Sequence, residues 1–321
     1  MENNIFEACI LCPHKCKVNR KNGELGRCKA GKKAKIALAN LHYFEEPCIS
    51  GKNGSGTVFF TGCNMNCKFC QNYKISQEML GKEIEKENLA EEFLKLQDLK
   101  ANNINLVTGV MYIPQIIDAL KYAKQRGLKI PIIYNSSGYE NPEIIKMLDG
   151  YIDVYLPDLK YYENELAKRL SGVENYFEYA TESIKEMYKQ VGKPELDENG
   201  MIKKGVIIRH LVLPNHIENS KKVLNWIKTT FKDDILVSIM AQYFPSNKAM
   251  ECIDINRKLT EKEYREVEEY VYELNLDGYI QDLEENEEQY VPDFEQTEKI
   301  NKWKLILNII NETIIWILIQ K

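Results

Sequence analysis

From residue 57 onward, short apolar, β-branched runs alternate with longer stretches whose apolar residues recur every three or four positions. The runs at 57–61, 104–108, 130–134, 152–156, 206–213 and 236–240 are bounded by Gly, Pro, Asn and Asp, and predict buried strands. Helices are predicted at 89–100, 114–126, 142–148, 163–170 together with 181–191, and 219–230; another, at 261–274, follows the last strand. Strands alternating with helices predict parallel βαβ units and an α/β fold. Chemistry on such a sheet belongs at the C-terminal strand ends.

The two ends of the chain break this pattern. Residues 1–50 form a Cys-rich leader with little periodicity, 51–282 the alternating core, and 283–321 a C-terminal extension. That extension follows an acidic run, 282–288, read as a solvated linker. It places Trp303, Ile306, Leu307, Ile310, Ile314, Ile317 and Leu318 at helical spacing, which predicts an apolar helix docked on the core or on a partner. Its longest unbroken apolar stretch, 314–319, is too short to span a bilayer, so no transmembrane segment is expected. No internal repeat of fixed period is present.

Composition narrows the classes. With 321 residues and 44% hydrophobic residues, the chain can bury a large core. Its 43 Lys and Arg against 48 Asp and Glu give a net charge of −5, which offers no basic face for nucleic acid. The first residues lack the basic flank and apolar run of a signal peptide. Nine cysteines in such a chain point to a reducing compartment, the cytoplasm, where clustered thiols hold metals rather than disulfides.

Gly62-Cys63-Asn64-Met65-Asn66-Cys67-Lys68-Phe69-Cys70 carries the densest chemistry. Three thiolates at C-x3-C-x2-C spacing suit one cubane iron–sulfur cluster, leaving its fourth iron open to a ligand. Structural zinc would close its shell with a fourth Cys or His, and none follows in this loop. With Phe69 inside it, the triplet resembles the signature of the radical S-adenosylmethionine (SAM) superfamily. The flanking segments 42–51, 54–62 and 71–77 extend the likeness to the uncharacterised branch similar to pyruvate formate-lyase activating enzyme, up to about Phe294.

That resemblance implies a partial (β/α)6 TIM-like barrel with a Cys-rich N-terminal and a helical C-terminal extension. It implies a [4Fe–4S] cluster on Cys63, Cys67 and Cys70 that chelates SAM and reductively cleaves it to a 5′-deoxyadenosyl radical. Further positions carry over at strand ends. Thr108 stands where the superfamily often has a Gly-Gly-Glu patch for the SAM amino group; the acid is missing here, so the Thr108 hydroxyl or a backbone carbonyl takes that role. Asn135 and Ser137 suit a sugar hydroxyl, although Asn/Ser/Gly is also an ordinary turn. Asp158 and Lys160 match an Asp-x-Lys motif whose charges reach SAM. Arg209 is a candidate for the SAM carboxylate, and Gln242 or Tyr243 for the adenosine. His210 alternates to the opposite side from Arg209 and is read as core.

Cys9, Cys12, Cys16 and Cys28 form a second set, compatible with zinc or an accessory iron–sulfur cluster; His14 within it is read as a bystander. Cys48 and Cys252 are isolated and read as structural. The resemblance implies an activase that removes hydrogen from a glycine of a partner glycyl-radical enzyme, with flavodoxin or ferredoxin as reductant. Radical modification of a small molecule or peptide shares the first step. A non-catalytic iron–sulfur or zinc protein is the reading from another class.

Overall fold

The computed structural model describes residues 5–283, 292–294 and 316–319. Its strands, in chain order, are β1 (Ala34–His42), β2 (Ser55–Phe60), β3 (Lys82–Ile84), β4 (Ile104–Val107), β5 (Ile132–Ser136), β6 (Val154–Pro157), β7 (Glu195–Leu196), β8 (Ile202–Leu211), β9 (Leu236–Met240), β10 (Gly278–Gln281) and β11 (Trp316–Ile319). They form one open sheet in the order β11-β10-β9-β8-β6-β5-β4-β2-β1-β3, with β7 paired to β8 alone. From β2 through β4, β5, β6, β8 and β9 to β10 every neighbouring pair is parallel. The antiparallel pairs lie outside that run or off its path. This is the expected α/β core, a parallel-rich sheet that does not close.

The six predicted strands correspond to β2, β4, β5, β6, β8 and β9, each displaced by a few residues at most. Their side chains are buried nearly throughout, as both faces are covered. Helices pack by single apolar stripes. In Lys86–Asp98 the buried residues are Leu89, Ala90, Phe93 and Leu96, which recur at helical spacing on one side. Thr260 and Glu263 form a reciprocal cap at the start of Glu261–Glu273.

Three differences from the sequence reading have physical causes. Residues 34–42, assigned to the leader, belong to the sheet as β1, paired along most of their length with β2. Their side chains are mostly half-buried, so they carry no strong alternation. A seventh parallel strand, β10, was not expected, because Gly278-Tyr279-Ile280-Gln281 is short and begins at a glycine. That glycine is required: its φ is +150°, and a Cβ would lie 2.0 Å from the Val237 carbonyl oxygen.

The third is a correction. The expected C-terminal apolar helix is not what the described residues form: Trp316–Ile319 is a strand antiparallel to β10. Four consecutive large apolar residues offer no polar face for a helix, whereas the edge of β10 offers unpaired backbone groups. Tyr279 packs edge-on against Trp316, ring centroids 6.5 Å apart. The remainder of the expected helix and most of the acidic run lie outside the described residues.

Candidate active site

A cavity of about 240 Å³ opens at the C-terminal ends of the parallel strands. Cys63, Cys67, Phe69, Cys70, Thr108, Asn135, Ser137, Asp158, Lys160, Arg209 and Gln242 all line it, whereas Tyr243, the alternative to Gln242, is buried behind the lining with its hydroxyl on the Ile255 carbonyl.

The cysteine loop leaves β2 through Gly62, whose φ is +93°. It is pinned from several directions: the Asn66 and Lys68 amides donate to the Ser171 and Leu170 carbonyls at 3.0 and 2.8 Å. Gln77 Nε2 donates to the Cys67 carbonyl at 2.9 Å. Each sulfur has a hydrogen-bond partner of its own: the Met65 amide to Cys63 Sγ at 3.4 Å, the Ser171 hydroxyl to Cys67 Sγ at 3.0 Å, and the Ser76 hydroxyl beside Cys70 Sγ at 3.2 Å. Burial pushes the three thiols up, Cys67 to about 11, with mutual repulsion adding to Cys63. A coordinated metal reverses that cost, because ligation deprotonates a thiol outright. Phe69 is buried edge-on against Tyr243.

Opposite the loop, β4 ends at Thr108 with φ +59°. That conformation is unusual for a β-branched residue and marks a strained strand end in the cavity wall. The Thr108 amide donates to the Asn135 carbonyl at 2.9 Å, tying β4 to β5. Asp158 and Lys160, just past β6, form an ion pair that is largely buried. Burial pulls the Lys160 ammonium down, but attraction to Asp158 and to Cys67 outweighs it. Gln242 accepts from Gln281 Nε2 at 3.1 Å, and its backbone carbonyl accepts from Gln71 at 2.7 Å.

Arg209 lies in the lining but its guanidinium is engaged by protein carboxylates. Nε donates to Glu46 at 2.7 Å, and Nη2 reaches both Glu45 and Glu46. Sequence reasoning missed these acids, although Glu45-Glu46 ahead of Pro47 is an unusual pair to bury. Burial pushes the Glu45 carboxyl up, but attraction to Arg209 and His42 holds it below the ordinary range. His210 is fully buried, its ring between the Leu159 carbonyl at 2.7 Å and the Ser220 hydroxyl at 2.8 Å. Cys48 and Cys252 are buried too.

The Radical SAM superfamily profile matches residues 57–227, more than half of the chain. The chain belongs to the radical SAM superfamily. An uncharacterized protein of Methanocaldococcus jannaschii is 37% identical over 281 residues, covering 85% of this chain and 77% of that one. Pyruvate formate-lyase-activating enzyme of Clostridium pasteurianum is 25% identical over 258 residues, covering 77% of this chain and 99% of that one. Among solved structures, the FeFe-hydrogenase maturase HydG from Carboxydothermus hydrogenoformans aligns at 10% identity with a TM-score of 0.48. That alignment covers 78% of this chain and 63%, less than two thirds, of that one.

A radical SAM enzyme implies a [4Fe–4S] cluster and SAM, and the cavity fits both. Three thiols, each with a hydrogen-bond partner at its sulfur, line the cavity together, a donor set that suits an iron–sulfur cluster. Two buried polar atoms of the lining, Asn72 Oδ1 and Trp316 Nε1, have no partner among the described residues. An acceptor and a donor left open in one cavity suit a polar ligand.

Cys9, Cys12, Cys16 and Cys28 do not line the cavity. Cys9 and Cys28 are buried, Cys12 is half-buried and Cys16 is exposed. Burial pushes the Cys12 thiol up to about 12, with repulsion from Cys28 and Cys9 adding to it. His14 turns away to the cysteine loop, where its Nε2 lies 2.8 Å from the Asn64 carbonyl. Among the described residues, no helix is long and apolar enough to cross a membrane.

Proposed function

We propose that this radical SAM enzyme is an activase, abstracting hydrogen from a glycine α-carbon of a partner glycyl-radical enzyme in the cytoplasm, with flavodoxin or ferredoxin as reductant. The observation that carries the reading is the relation to pyruvate formate-lyase-activating enzyme, which extends over 99% of that protein. Cys63, Cys67 and Cys70 would hold the [4Fe–4S] cluster, whose chemistry when bound would be one-electron reductive cleavage of SAM to the 5′-deoxyadenosyl radical that takes the hydrogen.

The chain's own residues bind, orient and shield. Lys160 offers an ammonium to the SAM carboxylate, held in place by Asp158. Thr108, at the strained end of β4, offers its hydroxyl or carbonyl to the amino group. Asn135, Ser137 and Gln242 offer hydrogen bonds to ribose and base across the cavity. Met65, Phe59, Phe60 and Phe69 give the lining its apolar parts and exclude water from the reacting carbon. Arg209 positions the floor through Glu45 and Glu46 rather than meeting the carboxylate itself.

Anaerobic incubation with SAM, a reductant and a co-encoded glycyl-radical enzyme tests this. A glycine-centred doublet in the EPR spectrum is the expected result. SAM cleavage without the doublet, with a modified metabolite or peptide by mass spectrometry, would replace the activase reading by small-molecule or peptide modification. Absence of SAM cleavage would leave a non-catalytic metal protein.

A further inference from the structure

The leader is built around an unbalanced cation. Arg20 is 3% exposed, and no acidic side chain pairs with it among the described residues. Its Nη1 donates to the Met111 carbonyl at 2.7 Å, and its Nη2 points at Cys28 Sγ at 3.5 Å. Its Nε has no acceptor among the described residues. A buried guanidinium without an anion is strongly unfavourable, so the charge that balances it has to come from its surroundings. Those surroundings are thiols: Cys28 directly, and Cys9 within its electrostatic reach.

The chain around these thiols is shaped to gather them. Cys16 Sγ sits where a side chain at Gly26 would be, 2.6 Å from the position of its missing Cβ. The sulfur of Cys16 is therefore laid against the backbone two residues ahead of Cys28. The Lys17 amide donates to the Cys9 carbonyl at 2.9 Å, and the Lys15 amide to the Cys12 carbonyl at 3.0 Å, closing tight turns. Lys15, Lys17 and Lys29, each next to Cys16 or Cys28, have φ of +41°, +56° and +55°. Non-glycine residues rarely adopt this backbone, and three of them beside ligand-type cysteines mark a loop bent for a purpose.

We propose that Cys9, Cys12, Cys16 and Cys28 form a second metal centre, a tetrathiolate carrying net negative charge, with Arg20 as its buried counter-cation. Zinc and an iron–sulfur cluster share that chemistry, since four thiolates around either a zinc ion or a dicationic cluster core leave a dianion. Arg20 both donates to a ligand sulfur and neutralises part of this charge, as supporting residues around metal sites do. Among the described residues no three of these sulfurs are gathered at single-ion distances, so the loop draws together when metal binds.

The position of the centre is as informative as its ligands. A Cβ on Gly62 would lie 2.7 Å from the Cys28 carbonyl, so the second centre abuts the residue preceding Cys63. Arg20 also grips Met111, just beyond the strained end of β4. Metal at the leader therefore braces two walls of the cavity from behind.

The full chain with Cys63→Ala, Cys67→Ala and Cys70→Ala isolates the second site. Purified anaerobically, it should retain either about one zinc without sulfide, or iron with an equal amount of sulfide. Adding Cys16→Ser, an exposed change that leaves the core intact, should abolish that retention. Arg20→Met should speed metal loss to a chelator by about 10-fold, while Arg20→Lys keeps the charge and restores part of it. A triple variant without stoichiometric metal, or one whose metal ignores Cys16→Ser, would overturn the proposal.

Discussion

Arg209, in the cavity lining, meets the buried Glu46 behind it although 163 residues separate them: Nε donates to Oε1 at 2.7 Å, and Nη2 reaches Oε2 at 2.5 Å. Glu46 is fully buried and Glu45 nearly so, and one guanidinium serves both. The pair ties β8 to the connection between β1 and β2.

Removing one partner leaves a buried charge behind. Glu46→Gln or Arg209→Met should each destabilise the fold by about 3–5 kcal/mol. The double variant should cost less than the sum of the two, because it strands only the Glu45 carboxylate instead of Glu45 and Glu46 together. Urea unfolding of the four proteins measures this directly; strict additivity would show that the pair is not coupled.

A second prediction concerns Glu140, which is 1% exposed, accepts from the Tyr134 hydroxyl at 3.3 Å and has no partner at Oε2 among the described residues. Burial pushes its carboxyl up from 4.5 to about 8, against hydrogen bonds from Ser136 and Tyr134 that pull it down. The folded chain therefore holds a proton that the unfolded chain has already lost, and this contribution to stability declines as pH rises from 4.5 to about 8. Glu140→Gln keeps the neutral shape without the titration. Its melting temperature relative to the parent should rise between pH 5 and pH 8.5; a difference independent of pH would contradict the assignment.

Gly138 supports the Asp158–Lys160 pair from beneath. Its φ is +76°, and a Cβ would come within 2.1 Å of the Asp158 carbonyl oxygen. Gly138→Ala should destabilise by about 1–3 kcal/mol and displace Asp158. Lys160→Met should weaken SAM binding to the reconstituted protein by about 10-fold or more, as expected for a lost charged hydrogen bond. Calorimetric titration with SAM measures the Lys160 effect on affinity, and urea unfolding should show a loss of stability beside it, since Asp158 is left largely buried without its partner.

Local pattern made the parallel core and most of the cavity legible, because β2, β4, β5, β6, β8 and β9 are apolar runs and the chemistry follows each run in sequence. Cys63, Cys67 and Cys70 were legible by spacing alone. The sequence marks Arg209 as a candidate for the SAM carboxylate, but its partners Glu45 and Glu46 arrive from a distant turn that no periodicity links to β8. β1 and β10 were missed for a related reason: half-buried or very short strands take their place from neighbours already in the sheet. Trp316–Ile319 pairs with β10 where helical spacing had been the guide, since an open sheet edge outweighs a weak local preference.

The loop from Cys63 to Cys70 is the proposed place where SAM is cleaved. Anaerobically reconstituted and reduced, the full chain should convert SAM to 5′-deoxyadenosine and methionine, and Cys67→Ala should abolish both this activity and the chromophore of that site. A Cys67→Ala protein that makes 5′-deoxyadenosine at the parent rate would contradict it.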